Sequence, residues 1–249
     1  MPQWKGRGTA VNPASRYQAQ ESEIEDEFAA ERAPDTEVRE ETARSILTRN
    51  NSPDIPFNQS INAYRGCEHG CIYCFARPTH AYLDLSPGID FETKLIAKTN
   101  AADQLEDELR KSSYRCETIA LGTNTDPYQP IERDYQLTRK ILETALRFKH
   151  PVSIITKSQL ILRDLDLLQE LAQFNLCHVG ISITTLDNSL KTALEPRTAS
   201  GAARIKVVRE LSNAGIPVSV LCAPIIPAIN ESPVKNPLYF SHNLQIAAT

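Results

Sequence analysis

What this 249-residue sequence lacks narrows it first. No apolar run approaches the roughly 18–20 residues that a membrane-crossing helix needs, so no membrane span is expected. The first ten residues are polar and hold no apolar stretch of the kind a secretory signal requires, so a cytoplasmic location is expected. No internal repeat or low-complexity tract stands out beyond one acidic run, which argues against a solenoid or a fibrous chain. What is present is a hydrophobic fraction of 41%, enough for a sizeable core.

Charge is spread unevenly. Residues 21–42 carry ten acids against two bases, which leaves 21 acids and 25 bases elsewhere. The remainder is mildly basic, which permits a phosphate-bearing ligand without demanding nucleic acid. Residues 1–56 are rich in charge, Pro, Ser and Asn, and the acidic run within them reads as a solvated, partly disordered segment. From residue 60 the pattern changes to alternating strands and helices. Strands are expected at 60–64, 117–121, 152–156, 178–184 and 217–223. Helices are expected at 100–110, with Asn100 as N-cap, at 138–148 and 164–174, and at 202–214 closed by Gly215. Strand–helix alternation predicts a parallel α/β sheet, and five strands are too few for an eight-stranded barrel. Asn124, Asp126 and Pro127 read as turn formers after the second strand. Residues 232–249 show no helical or strand period and form an atypical tail.

Six cysteines are present, and three fall within eight residues: Cys67, Cys71 and Cys74. In a chain read as cytoplasmic, such a cluster points to a metal site and not to a disulfide framework. The spacing is C-x3-C-x2-C. Three thiolates can hold three irons of a cubane, and no fourth cysteine follows at ferredoxin-like spacing. One iron would then stay open to an outside ligand. Gly66 and Gly70 suit a tight loop, and the aromatic Tyr73 can pack over an adenine beside the open iron. A zinc knuckle completed by His69 or a distant residue is the alternative reading. Cys116, Cys177 and Cys222 lie outside the cluster; Cys116 and Cys177 read as buried small hydrophobes.

C-x3-C-x2-C with an aromatic before the third cysteine resembles the radical SAM signature. The likeness extends to Asn50-Asn51-Ser52-Pro53, to Arg77-Pro78-Thr79-His80, to Gly122-Thr123-Asn124-Thr125-Asp126-Pro127, to Glu195-Pro196-Arg197 and to Pro224-Ile225-Ile226-Pro227. Together these resemble the branch related to spore photoproduct lyase, the DNA-repair-photolyase-like proteins. Ala228-Ile229-Asn230-Glu231 resembles a weakened form of the turn that follows in that branch.

The resemblance implies a partial (β/α)6 TIM-like barrel of radical SAM type, here lacking its last strand. It divides the chain into an extension (1–56), a core (57–231) and a tail (232–249). It implies a [4Fe–4S] cluster on Cys67, Cys71 and Cys74, with S-adenosylmethionine (SAM) on the open iron, cleaved reductively to a 5′-deoxyadenosyl radical. Gly122, Thr123 and Asn124 would meet the methionyl amine and Lys157 its carboxylate. Ser182 and Thr184 would meet the ribose, and Ala223 the adenine. Glu195 and Arg197 would either bind SAM or pair with each other. The implied activity is lyase-like, with an external one-electron donor of flavodoxin or ferredoxin type. The substrate stays open, nucleic acid being one candidate. Phe75 stands where spore photoproduct lyases carry a second tyrosine, and neither Cys116 nor Cys177 is placed to serve as their hydrogen-donating cysteine. The short C-terminus leaves two further readings, a non-catalytic iron–sulfur or zinc module and an inactive truncated fragment.

Overall fold

A computed structural model of the chain describes residues 6–13 and 35–231. Its larger sheet has six strands: β2 (Leu47–Arg49), β3 (Gln59–Ile61), β6 (Ile119–Leu121), β7 (Val152–Thr156), β8 (Cys177–Ser182) and β9 (Val218–Leu221). Their spatial order is β2-β3-β6-β7-β8-β9. Every pair from β3 to β9 is parallel; only β2 runs antiparallel, against β3. The sheet is open, with β2 and β9 at its ends among the described residues. A parallel sheet buried on both faces needs apolar residues at successive positions. β8 meets this, with residues 179–182 buried in succession, whereas β7 alternates, Val152 and Ile154 being buried and Ile155 exposed.

Four longer helices cover this sheet in series: α1 (Ala101–Leu109), α2 (Leu137–Arg147), α3 (Leu165–Gln173) and α4 (Gly201–Asn213). In α2, Leu137, Ile141, Leu142 and Ala145 repeat at helical spacing and are buried. In α3, Leu167, Leu168 and Leu171 do the same. α1 packs on α2, α2 on α3, and α4 on β8 and β9. Gly215, at φ +75°, ends α4 in the left-handed conformation, with its N–H on Ser212 O and the Ile216 N–H on Leu211 O. Asn100 does not cap α1 through its side chain. Its amide instead makes a two-way pair with the backbone of Ala43, at 2.8 and 2.9 Å.

A second sheet is built from β1 (Glu37–Glu41), β5 (Lys94–Lys98) and β4 (Tyr64–Arg65), in that spatial order. β1 runs parallel to β5, and β4 antiparallel to it. β1 and β2 arise inside the stretch whose composition predicts a polar extension. Val38 is the only aliphatic residue in β1; the strand is fixed by backbone pairing to β5, which composition does not register. Residues 6–13 also belong to the fold, since Asn12 exchanges hydrogen bonds with Asp90 and the Ile89 N–H donates to Val11 O. Residues 14–34, most of the acidic run, and the tail at 232–249 lie outside the described residues. No helix among the described residues is long and apolar enough to cross a membrane.

Candidate active site

The five parallel strands all end on one edge. β3 leads into Asn62, β6 into Gly122-Thr123-Asn124, β7 into Lys157, β8 into Thr184 and β9 into Ala223. Every SAM-binding candidate from the sequence, except those of the cysteine loop and the 195–197 turn, sits on or just past this edge. It is the edge where parallel α/β sheets present their ligand sites.

The cysteine loop follows β4 and is held from several sides. Gly66 has φ +76°, and a Cβ there would come within 2.6 Å of Leu95 and 2.8 Å of Phe91 O, so a glycine is required. The fully buried Gln129 clamps both flanks of Cys67. Its Oε1 accepts the Glu68 N–H at 3.0 Å and its Nε2 donates to Gly66 O at 3.1 Å. Arg77 donates from two nitrogens to Cys71 O, at 3.2 and 2.9 Å, and pairs with buried Glu92 at 2.6 Å. Glu92 in turn accepts the Gly8 N–H at 2.9 Å. The loop also meets the 194–197 turn, where Ile72 N–H donates to Leu194 O and Arg197 N–H to His69 O.

Cys67 and Cys71 are buried and Cys74 is half-buried. Cys67 and Cys74 pack in one cluster with Ala76 and Phe91. Burial pushes the Cys67 thiol well up, and the charges of Asp126 and Cys71 add to this; the backbone N–H groups of Asp126 and His69 oppose it. Burial pushes Cys71 up to about 12 against the pull of Lys157, with Glu195 and Cys74 adding to the rise. The three thiols therefore share one electrostatic neighbourhood, furnished with N–H donors and a lysine. No three His, Cys, Asp or Glu side chains among the described residues gather tightly enough for a single metal ion. His69 Nδ1 stands 3.2 Å from Asp126 Oδ2, although its N–H is not aligned for a hydrogen bond.

Beside Cys71 lies a second network, centred on Glu195, which is 1% exposed. Its carboxylate accepts from Tyr73 Oη, from Thr184 Oγ1 at 2.6 Å and from Arg204 at 2.5 Å. Burial alone would raise Glu195, but Arg204, Lys157, Thr184 and Tyr73 hold it below the usual carboxylate range. Burial, Cys71 and Glu195 together push the Tyr73 phenol above its ordinary range. Lys157 is half-buried; burial draws its ammonium down, but Cys71, Glu195 and Asp126 outweigh that and raise it. Ser182 and Thr184 both direct hydroxyls to Ala223 O, at 3.5 and 3.4 Å.

The structure thus sets Lys157 and Glu195 near Cys71 and links Glu195 through Tyr73 and Thr184 to Ala223, which Ser182 also meets. Gly122 has φ +93°, and a Cβ would stand 2.2 Å from Ile155 O. Thr123 and the Asn124 N–H are both held by Asn62. Glu195 and Arg197 do not pair with each other: Glu195 takes Arg204, while Arg197 takes Glu68 at 3.1 Å. Cys177 is buried with its thiol on Leu168 O, whereas Cys116 is exposed, against expectation. It precedes β6 in a polar stretch with no sheet over it.

Sequence reasoning missed Asn62, Glu92, Gln129, Arg204 and Asn230. Asn230 is fully buried and ties Thr184 O to Pro224 O through its Nδ2, at 3.0 and 2.9 Å. The segment that reads as a weakened turn thus closes over the end of β8. Asp126 does more than form a turn. It accepts from Thr156 Oγ1 at 2.6 Å and from the Lys157 N–H at 2.8 Å, and His69 and these donors depress its carboxyl despite burial.

The radical SAM superfamily profile matches residues 61–236. The chain belongs to the radical SAM superfamily. It is 44% identical over 182 residues to an uncharacterized protein of Mycobacterium tuberculosis, covering 73% of this chain and 54% of that one. An uncharacterized protein of Methanocaldococcus jannaschii is 33% identical over 167 residues, covering 67% and 60%. The chain therefore spans little more than half the length of the curated relatives it matches. Among solved structures, spore photoproduct lyase complexed with a dinucleoside spore photoproduct superposes with a TM-score of 0.54 at 17% identity, covering 76% of this chain and 52% of that one. A doubly substituted mutant of that lyase, with bound AdoMet and the same photoproduct, gives 0.55 at 16%, covering 76% and 51%. At such identities the likeness establishes the α/β radical SAM fold alone.

Proposed function

We propose that this chain is a radical SAM enzyme that holds a [4Fe–4S] cluster on Cys67, Cys71 and Cys74 and cleaves SAM reductively. The observation that carries this reading is that Tyr73 of the cysteine loop and Glu195 of the 195–197 turn meet Thr184 at the C-terminal strand edge, where Lys157 and Ala223 also lie. The donor set fits the cluster: three thiols and no fourth on a loop whose backbone is clamped, with N–H groups and a lysine that favour thiolate. A cubane spaces its thiolates more widely than one ion does, which favours it over a zinc knuckle. The partial (β/α)6 barrel belongs to the same proposal, with β3, β6, β7, β8 and β9 as five of its staves.

A cluster held by Cys67, Cys71 and Cys74 would supply the electron for reductive cleavage of SAM to methionine and the 5′-deoxyadenosyl radical that acts on a substrate. The chain's residues bind and orient. Lys157 would pair with the methionyl carboxylate, and Gly122, Thr123 and Asn124 would offer backbone to the amine. Thr184 and Ser182 offer hydroxyls to the ribose. Glu195 holds Tyr73 in place so that its ring can cover the adenine, and Ala223 leaves room for backbone to approach that base. Arg197, paired to Glu68, positions the loop. The electron comes from an external one-electron donor of flavodoxin or ferredoxin type. The fold shared with spore photoproduct lyase makes nucleic acid the first substrate class to test, although Phe75 has no hydroxyl to relay a radical.

Anaerobic reconstitution tests the proposal. About four irons per chain are expected with broad absorbance near ~400 nm, together with dithionite-dependent 5′-deoxyadenosine. Ala at Cys67, Cys71 or Cys74 should abolish both, and Ala at Cys116, Cys177 or Cys222 neither. Stoichiometric zinc with no iron uptake would overturn it.

A further inference from the structure

Outside the cysteine site, the small sheet presents a cavity of about 520 Å³. In register, Arg39 of β1 and Arg65 of β4 flank Ile96 of β5, and Glu41 lies opposite Lys98 in the next row. Side chains two apart on a strand share a face, so these charged groups stand together. Arg44 joins them from the loop after β1. The cavity thus collects four cations against one carboxylate, Glu41, whose nearest approach to Arg65 is 3.9 Å. Among the described residues neither Arg39 nor Arg44 has an ion-pair partner. Lys98 is half-buried, so its charge is less screened by water than a surface charge, whereas the Arg65 side chain is 42% exposed.

We propose that this cavity is a binding site for a phosphate group, distinct from the SAM site. Three guanidiniums and one ammonium line the cavity, and guanidiniums donate the paired N–H bonds that phosphate oxygens accept. The surplus of positive charge suits an anion, and the partial burial of Lys98 strengthens its charge at short range. Lys98 carries the mark of the crowding: burial and the charge of Arg65 depress its ammonium, and Glu41 compensates only in part. The site also borders the candidate active site. Lys98 Nζ donates to Asn62 O at 3.0 Å, and the Asn62 side chain holds Thr123 and Asn124. Arg65 directly precedes the cysteine loop. A phosphate seated here would stand behind the strand that feeds that loop, where the backbone of a bound oligonucleotide or a small phosphoester could supply it.

The test uses the full 249-residue chain with two probes, inorganic phosphate and a short single-stranded oligonucleotide, by calorimetry and by fluorescence anisotropy. At least one probe should bind, and Arg39→Ala/Arg44→Ala should weaken it by roughly tenfold or more. If the oligonucleotide binds, its salt dependence should also become shallower, by roughly 0.7 in log–log slope for each phosphate no longer neutralised. Phosphate binding without oligonucleotide binding assigns the site to small phosphoesters; oligonucleotide binding assigns it to a nucleic-acid backbone. Both exposed arginines lie outside the cysteine loop, so circular dichroism and iron content should be unchanged in the variant and serve as the folding control. If the double variant fails to fold, Arg39→Gln alone repeats the comparison. Binding by neither probe, or binding undiminished in a folded variant, would overturn the proposal.

Discussion

At Glu195 a carboxylate and a guanidinium are each 1% exposed and bond to one another. Removing one member of such a pair strands the other without water, at a cost of about 3–5 kcal/mol. Glu195→Ala should therefore unfold at markedly lower urea than wild type even without cofactors. Loss of under about 1 kcal/mol would mean that Arg204 finds water or another partner. The residues that carry chemistry by type are legible in the sequence: the three cysteines by spacing, Tyr73 by its neighbour, Lys157 by the end of its strand. Gln129, Asn62 and Arg204 are not. Gln129 acts on a loop 61 residues away, and no local pattern marks a glutamine that will hold a distant backbone. Arg204 sits on a helical stripe with Val207, Val208 and Leu211, where an arginine reads as surface until its partner is seen.

Among the elements, β7 matches expectation residue for residue because the β-branched Val152, Ile154, Ile155 and Thr156 fall between Pro151 and Lys157, with Val152, Ile154 and Thr156 buried on one face. β1 has no such run, and β4 is only two residues long; both depend on β5 and have no signal of their own. β9 is half-buried throughout and pairs only with β8 among the described residues, whereas β7 is paired on both sides. Alternate amides of Val218–Leu221 should then exchange with deuterium faster than those of Val152–Thr156. Equal protection would reveal a further strand over that edge. Between α2 and β7, buried His150 is kept neutral, because burial lowers its pKa below the ordinary 6.5 despite its bond to Pro151 O. The unfolded chain takes that proton more readily. Stability from this residue is full above about pH 6.5 and is lost as pH falls through it. Thermal midpoints measured from pH 7.5 to 5.5 should fall, and should fall less in His150→Gln.

For the molecule as a whole, the parallel α/β class can be read from the alternating pattern, while the role of residues 6–13 cannot. These residues cross the cysteine loop. Arg7 donates to Glu92 O at 2.9 Å, and a Cβ on Gly8 would stand 1.8 Å from Gly70 O. Composition marks such a segment as extension because it is held by polar bonds, most of them through side chains, to residues 73–85 positions away. Gly8→Ala must push the segment off the loop, and it should lower iron retention after reconstitution while leaving the far-UV spectrum of the sheet intact. Unchanged retention would show that the loop stands without this support.

The crossing also sets an order of events during synthesis. Gly8 leaves the ribosome first, yet its partner on Glu92 lies 84 residues later. The segment must wait, undocked, while the cysteines emerge, and closing so long a loop is entropically the slower step. Iron then has a window in which the loop is formed but not yet strapped. Chain diluted from denaturant into iron and sulfide should take up metal faster than chain refolded beforehand, and the difference should vanish in Gly8→Ala.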